Sequence, residues 1–221
     1  PHPLYDANTN SQAITIMHGI GARYLSISTT HRCANSTPSS CSGTTSVCGE
    51  SGAYRVSDMA HNTDNFFHHF GTKIHDSSSV IITIQLHGCG STFCPASENP
   101  DDIVARFSAG TTQNLANSAL INRLNAKLNE KLQPLGVGSS KSCSQSLETD
   151  KKLCSTTNPL GRYINGEISD PCTRAALSFD NSRFVHIEQN SNLRKNDGTG
   201  DSLTPNILIE TINETLSIDV D

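Results

Sequence analysis

The chain contains no tryptophan, two methionines and 5% aromatic residues, so its core must be built from aliphatic side chains. It has no long apolar run, and no transmembrane helix is expected. Its 16 basic residues are scattered and outnumbered by 21 acidic ones. The formal charge of −5 leaves no electrostatic footprint for a nucleic-acid backbone. A Gly-x-Ser-x-Gly elbow is absent, which argues against a serine hydrolase. No Cys-x-x-Cys pair occurs, so a structural zinc site is not expected. There is no internal repeat and no low-complexity tract.

What is present is a polar chain of 221 residues, 34% hydrophobic, rich in Ser, Thr and Asn. That length suits one α/β domain with a lean core and long polar loops, the places where function is often carried. Eight cysteines, Cys33, Cys41, Cys48, Cys89, Cys94, Cys143, Cys154 and Cys172, lie mostly in Gly/Ser/Thr-rich stretches. Their even number points to disulfides and a secreted or periplasmic protein. Cys89 with Cys94 and Cys143 with Cys154 are the expected local pairs, among roughly 105 possible connectivities. The chain starts at Pro1 without a Met, which reads as removal of a leader. Asn35-Ser36-Thr37 and Asn213-Glu214-Thr215 match glycosylation acceptors.

The pattern along the chain predicts a helix over 9–18, a strand over 23–28 and a helix over 63–75 behind caps at Asn62 or Thr63. The β-branched run 80–86 reads as a central buried strand, and 102–108 as another. A Leu stripe at 115, 120, 124, 128 and 132 predicts a long helix over 112–133. Residues 133–171 read as a surface excursion tied by cysteines. A strand over 183–188 follows, then a last helix opening on Thr204-Pro205. This alternation implies a three-layer α/β domain with a mixed, mostly parallel central sheet flanked by helices.

Three short segments carry the chemistry. Pro1-His2-Pro3-Leu4-Tyr5-Asp6, Ile84-Gln85-Leu86-His87-Gly88 and Phe184-Val185-His186-Ile187-Glu188 each carry, at or next to their end, a polar residue capable of serving a metal site. Two are apolar strands delivering that residue at the carboxyl end, where open α/β sheets place their sites. A catalytic zinc takes three ligands from His, Glu and Asp, and His2, Asp6 and His87 meet that requirement. A carboxylate that is not a ligand then works as general base, the role given to Glu188. His186 shares a strand face with Glu188.

This arrangement resembles the zinc metallocarboxypeptidase superfamily and its small relatives, poly-γ-glutamate hydrolases and N-formylglutamate amidohydrolases. The resemblance implies that His2 and Asp6 are the first ligand pair, His87 the second histidine and Glu188 the base. The family pair is His-x-x-Glu, whereas Tyr5 holds that spacing here and Asp6 comes one residue later. The strand expected to position His2 is absent from the sequence. Arg32 in Thr30-His31-Arg32, His61 in Ser57-Asp58-Met59-Ala60-His61, and Arg194 are candidates for binding a substrate and its carboxylate.

The expectation is an exported zinc-dependent hydrolase of amide or peptide bonds, using zinc-activated water and a Glu base. Its substrate would be a peptide or acylated amino acid bearing a carboxylate. The alternative is a disulfide-stapled secreted binding or surface protein on an inactive hydrolase scaffold. Oligomeric state is not legible in the sequence.

Overall fold

A computed structural model of the chain describes residues 1–95, 99–178, 182–195 and 205–217. The elements run α1 (Thr9–Gly19), a small hairpin β1 (Thr44–Thr45) and β2 (Gly52–Ala53), α2 (Phe66–Asp76), β3 (Thr83–Gly88) and β4 (Ile103–Ser108). There follow α3 (Leu120–Leu132), β5 (Ser139–Ser142), α4 (Pro159–Ile164), β6 (Phe184–Gln189) and α5 (Pro205–Ser217). The central sheet has the order β3-β6-β4-β5. β3 with β6 and β4 with β5 are parallel, while β4 with β6 is antiparallel. This is the mixed, mostly parallel α/β architecture that the element pattern implied.

The two faces of the sheet differ in chemistry because side chains alternate along each strand. One face carries Leu86, Val185, Ile187, Ala105 and Phe107. It packs in one apolar cluster with Ile16 of α1, Leu120, Leu124, Leu128 and Leu132 of α3, and Leu208 and Ile212 of α5. The other face carries Gln85 and His87 of β3, His186 and Glu188 of β6, and Arg106 and Ser108 of β4. Phe184 gives that face an apolar anchor, against Leu160 and Ile164 of α4. The close approach of α4 needs Gly161, where an added Cβ would lie 2.6 Å from the Phe184 ring. Polar side chains on a sheet face this well covered must be hydrogen-bonded or belong to a site.

Several elements depart from the sequence reading. The alternating stretch 23–28 forms no strand; its residues 23–27 line an apolar cavity of about 510 Å³ with Phe67, Phe70 and Ile84. α2 starts later than expected because Asn65 is its cap, accepting from the His68 backbone, while Asn62 bonds Val56 O instead. α3 starts at Leu120, not near 112. Asn122 Nδ2 bonds the carbonyls of Leu115 and Ala116 and holds the preceding stretch as loop.

The segment 133–171 is more than a surface excursion, since it supplies β5 and α4. β5 has no apolar signal because it is held by polar side chains of α3: Asn129 Oδ1 accepts from Ser140 N at 2.6 Å, and Asn122 Oδ1 accepts from Ser142 Oγ at 2.6 Å. Pro205 does open the last helix; the Thr204 cap lies outside the described residues.

All eight cysteines pair: Cys33–Cys48, Cys41–Cys172, Cys89–Cys94 and Cys143–Cys154. The two local pairs are those expected. Cys41–Cys172 ties the loop region before α2 to the segment after α4. Among the described residues no helix is long and apolar enough to cross a membrane.

Candidate metal centre

β3 and β6 are parallel and in register, with His87 beside Glu188, so both strands deliver polar residues at the same end of the sheet. His2 and Asp6 arrive there through a tight turn in which His2 O accepts from the backbone N–H groups of Tyr5 and Asp6 at 2.8 and 2.7 Å. The turn puts the two side chains on one side, and α1 follows it directly. Gln12 of α1 then locks onto β6, its side chain exchanging hydrogen bonds with that of Gln189 at 2.6 and 3.1 Å.

The result is a buried convergence. His2 is 0% exposed, Asp6 and His87 4% each, and Glu188 8%. Asp6 Oδ2 lies 3.6 Å from His2 Nδ1 and 3.6 Å from His87 Nδ1. These separations are too long for hydrogen bonds. They are close to the edge of a coordination tetrahedron, about 3.3 Å for ligands about 2.0 Å from a zinc ion. His2 Nδ1 and Asp6 Oδ2 are both buried and have no hydrogen-bond partner. Burial alone would push the Asp6 carboxyl up, but the two imidazoles beside it hold it below the usual carboxylate range. Two imidazoles and one carboxylate, with ligand atoms within 4.8 Å of one another, fit a divalent transition-metal ion.

Asp58 organises the surroundings. Its Oδ1 accepts from His2 Nε2 at 2.7 Å and lies 3.0 Å from His61 Nδ1, while Arg32 Nε and Nη2 donate to Oδ2 at 3.1 and 2.5 Å. The His2 contact fixes the proton on Nε2 and turns the Nδ1 lone pair toward Asp6, as a carboxylate behind a metal-binding histidine does. Burial raises the Asp58 carboxyl, and its contacts with His2 and His61 outweigh that and keep it ionised. His61 also stacks on Tyr54, with ring centroids 3.7 Å apart.

The candidate substrate-binding residues are therefore already engaged. Arg32 commits two of its three nitrogens to Asp58, and His61 is held by Asp58 and Tyr54. Arg194 is 7% exposed, donates to Ala7 O at 2.6 Å and packs over Gly88, where an added Cβ would meet its guanidinium at 2.5 Å. It clamps the His2–Asp6 turn onto the end of β3. All three join the cluster as supports of the ligand residues. Sequence reasoning passed over Asp58, although the residue lies within the quoted segment ending at His61. Nothing in a separation of 56 residues signals its bond to His2.

Glu188 stands beside this set, opposite Arg106 of β4 in the register. Burial, reinforced by the Asp6 charge, pushes its carboxyl up to about 8. His186, two residues earlier on the same face, brings Nε2 to 3.5 Å from Glu188 Oε1. Comparison with family models, characterised proteins and solved structures finds no match to the chain.

Proposed function

We propose that this protein is a zinc-dependent hydrolase of amide or peptide bonds, acting in an oxidising compartment outside the cytoplasm. The observation that carries the reading is the pair of orphaned, buried donor atoms, His2 Nδ1 and Asp6 Oδ2. They face His87 at the sheet end where Glu188 is also delivered. Four disulfides support an exported location.

His2, Asp6 and His87 would hold the zinc, which when bound supplies Lewis acidity to a water and to a scissile carbonyl. Asp58 keeps His2 in the tautomer that leaves Nδ1 open. Glu188 accepts the proton from the attacking water and returns it to the leaving amine. Burial and the Asp6 charge hold the Glu188 carboxyl above the usual carboxylate range, and a raised carboxyl suits a group that both takes and gives a proton. Arg32 retains Nη1 for a substrate carboxylate, a single contact in place of the bidentate grip expected from the sequence. The substrate class is a peptide or acylated amino acid with a carboxylate near the scissile bond.

The test is zinc content per chain by elemental mass spectrometry after purification without chelator, for the wild type and His87→Ala, followed by a panel of peptides, γ-glutamyl chains and acylated amino acids. Zinc that is lost in His87→Ala, together with hydrolysis of one substrate class, is the expected result. A wild type that takes up no zinc overturns the reading and leaves a disulfide-stapled binding protein.

A further inference from the structure

The histidines of the cluster are not equivalent. A metal-binding imidazole ordinarily donates its second ring nitrogen to a carboxylate, carbonyl or water. His2 obeys this through Asp58 at 2.7 Å. His87 does not: Nδ1 faces Asp6, while Nε2, on the far side of the ring, is buried and has no hydrogen-bond partner. An apolar environment charges heavily for a polar atom left in that state.

β6 contributes further donors beside the His87 ring. The His87 and His186 rings lie 4.4 Å apart between centroids, tilted by 41°. His186 Nε2 and Glu188 Oε1 are 3.5 Å apart, again too far for a strong hydrogen bond and near a coordination edge. Donor atoms of His87, His186 and Glu188 fall within 4.8 Å of one another, and all three residues are buried. Two hydrogen-bonded strands hold them, with His87 next to Glu188 in the register and His186 two residues along the same face. A site on paired strands is preorganised.

We propose that the cluster is a two-cation centre: a second divalent transition-metal ion is held by His87 Nε2, His186 and Glu188, and the His87 ring bridges both positions as an imidazolate. The second position shares His87 with the hydrolytic site and so rests on the metal reading of that site. Loading it releases the His87 ring proton to solvent, as a dication deprotonates other bound ligands. The ligand set of two imidazoles and one carboxylate suits zinc or copper, not calcium or magnesium. Ligation of the second ion and service as a base are exclusive states of the Glu188 carboxylate.

The experiment is a titration of the chelator-treated full chain with Zn²⁺ alone, read by equilibrium dialysis with elemental analysis. Cu²⁺ loading, read by electron paramagnetic resonance, runs in parallel. The expected result is two ions per wild-type chain, one in His186→Gln, one in Glu188→Gln and one in His2→Gln. The Cu²⁺ signal at two equivalents should be attenuated by coupling across the shared ring and recover in His186→Gln. Using two second-site variants guards against misfolding of either, checked by circular dichroism. One ion per wild-type chain, still bound in His186→Gln and Glu188→Gln, overturns the second site and leaves the hydrolase reading standing. Two ions whose uptake ignores both variants also overturns it. No ion at all defeats both readings, while absence of hydrolysis at one ion per chain as well as at two defeats only the hydrolase reading.

Discussion

His2 Nε2 donates to Asp58 Oδ1 at 2.7 Å across 56 residues of chain, and that one bond decides which nitrogen of His2 faces Asp6. The chemistry of the cluster depends on it, because an imidazole presents a lone pair only on the nitrogen without the proton.

Asp58→Asn should therefore keep every ligand atom and still weaken zinc binding, by roughly 10 to 100-fold. The variant also leaves Arg32 without its buried partner, a loss of about 3 to 5 kcal/mol. Affinity is to be measured by competition with a chromogenic chelator at a temperature where melting curves show the variant folded. Unchanged zinc affinity would remove Asp58 from the site's support.

Glu188→Gln should retain zinc at the His2, Asp6 and His87 position and lose turnover by about 10² to 10⁴-fold, the usual contribution of a positioned proton carrier. Steady-state hydrolysis set beside zinc content separates the two effects. Hydrolysis at the wild-type rate would exclude Glu188 as the base.

The pH dependence of the metal-free protein follows from groups shifted in opposite directions. Burial lowers His87 well below 6.5, His186 to about 3, and His61 as well. Below pH 6.5 the unfolded chain binds protons at these residues that the folded protein does not, so stability falls as pH drops. Each pH unit removes up to about 1.4 kcal/mol per histidine. Glu188 works the other way: folded, it stays protonated up to about 8, against 4.5 when unfolded, so its contribution falls as pH rises through that window. Asp6 and Asp58, held low by their histidine contacts, add to the losses at the acid end. Above pH 6 the buried Pro1 ammonium, lowered from 8.0 to about 6, offsets Glu188. Denaturant melts in chelator from pH 4 to 9 should therefore show stability climbing from pH 4 to about 6.5 and levelling off beyond. Stability unchanged between pH 4 and 6.5 would contradict the burial of the histidines.

The disulfide between Cys41 and Cys172 spans 131 residues and anchors the loops that carry Arg32, Asp58 and His61. Replacing both cysteines by Ser should lower stability by about 2 to 5 kcal/mol. It should also loosen zinc, because Asp58 then loses its fixed approach to His2. Calorimetric melting and zinc competition on the double variant check both effects. A melting temperature within a degree of the wild type would show that packing alone holds these loops.

Much of the scaffold could be read from local pattern. The β-branched run at 80–86 and the strand at 183–188 announced themselves by composition, and the Leu stripe of α3 by its spacing. Their carboxyl ends carried His87 and Glu188, and the short loops between Cys89 and Cys94 and between Cys143 and Cys154 favoured local pairing. These features were legible because burial of an apolar face imposes a period on the sequence.

β5 was not legible, because a strand written Ser-Ser-Lys-Ser is held by three asparagines of a helix and no apolar period records that. The stretch at 23–28 alternates like a strand, yet whether it pairs depends on where β3 lies. The sequence by itself determined which residue types were available to bind a metal and which strands would carry two of them. Only the tertiary structure decided that His2 and Asp6 meet His87, that Asp58 fixes the His2 tautomer, and that His186 comes to lie against His87. Hydrogen bonds and coordination act over about 3 Å and carry no memory of chain separation, so their partners are chosen by packing and not by spacing.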